Sequence, residues 1–132
     1  MILEFVDGSS IDVIAIFGSP VNINGTMRDV LTIDIDPNTI SQNKLREIFN
    51  NTNNLAHLYT YEDEVNENDE IVTSKIEIGE GYTILLNVEK ETRKVEKFPG
   101  KITPDEFTSV LVVTIAQMTY DEWIASGYAS NS

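Results

Sequence analysis

The chain has 132 residues, no cysteine, and 22 acids against nine bases, for a net charge of −13. That length suits one domain with its own core, and the missing cysteines exclude disulfide frameworks, thiolate metal sites and cysteine nucleophiles. A field this negative repels nucleic acid and anionic membranes, so neither is expected as a direct partner.

Met1 runs straight into Ile2 and Leu3 with no basic segment, and no apolar run approaches the ~20 residues of a membrane span. A soluble, intracellular protein is expected. The bases are unevenly spread: Lys90, Arg93, Lys94, Lys97 and Lys101 crowd into one segment, and residues 1–27 and 102–132 contain none.

In chain order, Ile2 to Val6 and Ile11 to Phe17 flank the turn-rich Asp7-Gly8-Ser9-Ser10 and predict a β-hairpin. Asn24-Gly25 predicts a second, with a type I′ turn joining Pro20–Ile23 to Thr26–Ile35. In the later strand Leu31, Ile33 and Ile35 share a face, Thr32 and Asp34 point the other way, and Asp36-Pro37-Asn38 closes it. The period then changes. Ser41 as cap, with Leu45, Ile48 and Phe49 on one side, predicts a short amphipathic helix ended by an asparagine-rich run.

Leu55 to Tyr61 reads as a strand of mixed faces, and Glu62 to Glu70, with six acids in nine residues, as a solvated loop or tip. Ile71–Ile78 and Tyr82–Glu89 around Gly79-Glu80-Gly81 predict a further hairpin, with Arg93–Phe98 extending it. Pro99-Gly100 and Thr103-Pro104 mark a rigid loop into Phe107. Val110 to Ile115 is a β-branched and aliphatic run of the kind found in a strand buried on both faces. Thr119-Tyr120-Asp121-Glu122 spells a capping box, and Gly127 can stop the short helix it starts. The expected architecture is a single α+β domain over 1–132: about seven or eight strands, mostly antiparallel, with two short helices.

Nothing in this order assembles a reaction centre. His57 is the only histidine and reads as a half-buried structural residue, because a metal site would need other ligands. Asp34-Ile35-Asp36 is a lone D-x-D at a strand end, read as solvated, and the acidic run lacks the glycine and spacing of a calcium loop. There is no phosphate loop and no serine–histidine–aspartate arrangement. Tyr59, Tyr61, Tyr82, Tyr120, Tyr128 and Trp123 admit a reading as an aromatic recognition surface, but with so few aromatics most of them are expected to fill the core, and Trp123 to dock its helix on the sheet. The expectation is a protein with no enzymatic activity, no cofactor and no metal, working through a protein partner.

Arg28-Asp29-Val30-Leu31 after Gly25, the helix ending Ile48-Phe49, Gly81-Tyr82-Thr83-Ile84 and Val113-Thr114-Ile115-Ala116-Gln117-Met118-Thr119-Tyr120 follow one another in an order that spans most of the chain. This order resembles small proteins of the tail and baseplate modules of phages and prophages of low-GC Gram-positive bacteria. The resemblance implies a phage or prophage gene and brings no functional residue with it.

Two roles follow. A carboxylate-rich surface on a phage-borne protein suits a nucleic-acid mimic, of the anti-CRISPR type, that occupies the basic DNA or PAM-binding cleft of a host defence nuclease. The contact acids would be Glu62, Asp63, Glu64, Glu67, Asp69 and Glu70, with Asp29, Asp34 and Asp36 on a strand; Asp121 and Glu122 on the last helix are the alternative location should the 62–70 run not carry binding. Such a protein would act in the cytoplasm of the bacterial host. The alternative is a structural component of a tail or baseplate, located in the virion. The mimic is favoured because −13 exceeds the magnitude of roughly 2 to 8 that solubility needs.

Overall fold

The aliphatic run Val110–Ile115 lies in the middle of a strand with neighbours on both sides. In the computed structural model, which describes residues 1–95 and 106–127, β8 (Glu106–Ala116) is hydrogen-bonded to β4 (Thr26–Ile35) and to β7 (Ile84–Val95). Val110, Leu111, Val112, Val113, Ile115 and Ala116 are buried, so consecutive side chains on both faces are out of water. That double burial is why the segment is apolar at every position but Thr114 and does not alternate.

The other elements are β1 (Ile2–Glu4), β2 (Ser10–Asp12), β3 (Ala15–Ile23), α1 (Gln42–Asn50), β5 (His57–Val65), β6 (Ile71–Glu80) and α2 (Tyr120–Ser126), with a 3₁₀ turn at Thr52–Leu55. They form two antiparallel four-stranded sheets, ordered β2-β1-β5-β6 and β3-β4-β8-β7. The expected α+β class, strand number and helix pair are all present.

Local chemistry sets the ends of these elements as the residues predict. Asn24 and Gly25 take φ of 50° and 87°, the left-handed pair of a type I′ turn between β3 and β4. Ser41 Oγ accepts the Lys44 amide at the start of α1. Thr119 and Glu122 form the reciprocal capping box of α2, and Gly127 ends it at φ 83°. One core joins both sheets and α1: Leu3 and Leu58 from the first sheet, Ile33 and Ile115 from the second, and Leu45 and Phe49 from the helix. The Phe5 and Phe49 rings meet edge to face at 5.7 Å.

Four expectations are corrected. The segment Ile11–Phe17 is not one strand. β2 ends at Asp12, the Val13 amide bonds Met1 O, the Ile14 amide bonds Asp34 O, and β3 then belongs to the other sheet. Strand pairing of β5 begins at His57, because Leu55 closes the 3₁₀ turn. Ile71–Glu89 is not a hairpin: β6 pairs with β5 and β7 with β8. Gly81, at φ +77°, carries the chain between the sheets, its amide bonded to Ala56 O and its carbonyl accepting from Met118 N. Finally, the first part of Glu62–Glu70, through Val65, is strand, described below. The loop expected around Pro99-Gly100 and Thr103-Pro104 lies outside the described residues.

Candidate functional site

β5 and β6 stay in register from Tyr59↔Glu77 to Val65↔Ile71, well past the single residue at which β1 meets β5. Beyond that contact the pair continues as a two-stranded arm, and from Tyr61 to Lys75 every residue is exposed. Glu62, Asp63 and Glu64 are therefore strand residues, which corrects the loop reading for this half of the run, while residues 66–70 form the expected solvated tip. Glu62 and Glu64 point to one face and Asp63 to the other, following the two-residue period of a strand. Glu67, Asp69 and Glu70 occupy the connection. Asn66 Oδ1 accepts the Asn68 and Glu70 amides at 2.9 and 3.0 Å, and Asp69 takes φ 59°. The strand survives its charge because Val72 and Thr73 on β6 are good strand formers, and Thr73 Oγ1 donates to Asp63 at 2.5 Å.

The arm contains a single base, Lys75. It is tied back to Glu4 at 2.5 Å and lies 4.3 Å from the centre of the Tyr59 ring, at the root of the arm. Tyr61 donates to the same Glu4 carboxylate at 2.7 Å. Lys75 first, then Tyr61, holds the Glu4 carboxyl below its usual range, and Glu4 in turn pushes Lys75 up. The one cation is thus engaged, and the six acids further out face solvent.

The remaining predicted acids are not gathered here. Asp29, Asp34 and Asp36 belong to β4 and its end, in the other sheet. Asp29 is exposed. Asp34 is 3% exposed, which corrects its reading as a solvated strand-end carboxylate and removes it from any partner surface. Asp36 holds the turn after β4 by accepting the Asn38 amide at 2.9 Å. On α2, Asp121 is exposed, whereas Glu122 is committed to Arg28, with Nη1–Oε1 2.6 Å and Nη2–Oε2 3.2 Å.

Among the aromatics, Tyr82 is buried and Trp123 docks α2 as expected, edge-on to His57 at 5.6 Å. Tyr61 and Tyr120 are exposed and stand outside the core expected to take most of these rings; Tyr128 is outside the described residues. His57 is half-buried, as expected, with a side chain 12% exposed and Nδ1 2.6 Å from Glu77 Oε1. Sequence reasoning missed Glu77 and the Glu4–Lys75–Tyr61 cluster, because cross-strand partners depend on register and no spacing along the chain announces them.

Comparison with protein-family models, with curated proteins and with solved structures gives no match. Among the described residues, no helix is long and apolar enough to cross a membrane.

Proposed function

We propose that this chain is a non-enzymatic binding protein of phage or prophage origin that presents its β5–β6 arm to a basic, nucleic-acid-binding cleft. The favoured target is a host defence nuclease of the CRISPR effector type, met in the cytoplasm of the bacterial host. One observation carries this reading: six carboxylates project on an exposed ribbon whose only base is already paired at its root. Four strand steps and the turn make an arm roughly 17 Å long at about 3.3 Å per residue, or about one charge per 3 Å. One DNA strand carries a charge every ~3.4 Å, so the arm approaches the linear charge density of a single strand. Arginine and lysine side chains that grip phosphates would accept carboxylates at that spacing, and long-range attraction would speed encounter.

The alternative, a tail or baseplate component, is supported by a different feature. β3 and β6 are sheet edges, with Phe17, Met27 and Ile71 exposed on or beside them, a surface suited to neighbouring virion proteins.

The test replaces the six arm acids by Gln or Asn. These changes keep the Asp63–Thr73 contact and suit the left-handed Asp69, so the turn stays intact. The unaltered protein should compete with DNA for a CRISPR effector nuclease, with affinity falling steeply as salt rises, and the neutralised protein should lose that competition. Competition that persists after neutralisation would overturn the arm as the contact surface. No competition at all, with the protein found in purified virions by mass spectrometry, would establish the tail reading.

A further inference from the structure

The root of the arm holds a second cluster that the binding reading does not use. His57 lies opposite Glu80 and Leu58 opposite Gly79, but Tyr59 lies opposite Glu77, so the register shifts by one residue at Ile78. In a regular strand Glu77 and Glu80, three apart, would point to opposite faces; the bulge turns both onto the face that carries His57. One imidazole nitrogen and one carboxylate oxygen from each glutamate lie within 4.8 Å of one another. The ring is held on two sides, stacked on Tyr59 at 6.4 Å and met edge-on by Trp123 at 5.6 Å. Its Nε2 is buried away from the glutamates with no hydrogen-bond partner among the described residues, and Nδ1, beside Glu77, is the nitrogen that faces the two carboxylates.

We propose that His57, Glu77 and Glu80 form a site for one divalent cation of the zinc class. One imidazole with two carboxylates suits zinc, and three protein ligands leave a fourth position open. A cleft of about 270 Å³ that includes Glu80, Gly81 and Trp123 in its wall lies beside the cluster and gives that position access to water or a small donor. Ligand atoms in a tetrahedral zinc site lie about 3.3 Å apart, given bonds near 2.1 Å. His57 Nδ1 and Glu77 Oε1, now 2.6 Å apart, must open slightly to reach that spacing, and no pair of ligand atoms within the 4.8 Å cluster needs to close by more than about 1.5 Å, which the exposed glutamate side chains allow. The ion takes the place of the hydrogen bond between His57 Nδ1 and Glu77 Oε1, and the ring binds as a neutral imidazole through Nδ1 with its one proton on Nε2. This site is independent of the arm's carboxylates.

Trp123 is the only tryptophan and touches the ligand histidine, so its fluorescence reports the site. Titration of the full chain with Co²⁺ should quench it with saturation at one equivalent, and Zn²⁺ should displace the Co²⁺. Glu80→Gln removes a ligand while leaving the His57–Glu77 hydrogen bond in place, so the fold is preserved; it should weaken binding about 10-fold or more. The protein with its six arm acids neutralised should bind as tightly as the unaltered chain. Quenching that does not saturate below millimolar Co²⁺ would overturn the site. So would binding that survives Glu80→Gln but is lost with the arm acids, since the ion would then be held by the acidic surface.

Discussion

At the scale of single residues, Glu122 does the most with one carboxylate. It accepts from both ends of the Arg28 guanidinium and from the Thr119 amide at 2.8 Å, and so ties α2 to β4 while completing its own cap. Arg28 first, then the Thr119 amide, holds its carboxyl down at about 2, from an ordinary value of 4.5. A carboxyl depressed by folding stabilises the protein above its unfolded pKa, and that contribution is lost as pH falls through the folded one. Glu122→Gln should therefore be less stable than the unaltered chain at pH 7, with the gap closing between about 4.5 and about 2. Denaturant unfolding of both proteins at a series of pH values checks this. A gap that stays constant across that window would mean the charge of Glu122 contributes nothing.

At the scale of elements, β8 and α2 stand next to each other in the chain and rest on different physics. Ile115 is fully buried in the central strand, so Ile115→Ala should cost about 2–5 kcal/mol through lost burial and the cavity left behind. Thr119→Ala removes one cap on a seven-residue helix and should cost about 1 kcal/mol. Equilibrium unfolding distinguishes the two, and equal losses would mean that β8 is not the packing centre. Both elements were readable from residues alone. The arm was not: six acids in nine residues suggested a solvated loop, yet charge density says little about backbone pairing, which the facing Val72 and Thr73 supply from another segment.

At the scale of the whole molecule, a net charge of −13 is opposed among the described residues by few ion pairs, chiefly Arg28–Glu122, Lys75–Glu4 and Lys44–Glu47. Repulsion among unpaired carboxylates should then outweigh attraction in the compact state. The melting temperature near pH 7 should rise as salt is raised from low ionic strength to 0.15 M, where screening acts over ~8 Å. A melting temperature that falls with salt would show that the pairs dominate.

By itself the sequence determined what depends on neighbours along the chain. The Asn24-Gly25 turn, the Ser41 and Thr119 caps, the Gly127 stop and the nearly unbroken apolar run of β8 each act within a few residues. Tertiary structure alone decided which strands share a sheet, because β2 and β3, or β6 and β7, are separated only by a short step whose direction depends on distant partners. The Val13–Ile14 step is held by Met1 and Asp34, and the Gly81 step by Ala56 and Met118. The same cause buried Asp34, which strand periodicity had placed on a solvated face. It also drew His57, Glu77 and Glu80 together, since a one-residue bulge reverses the face of every side chain beyond it and is set by the facing strand.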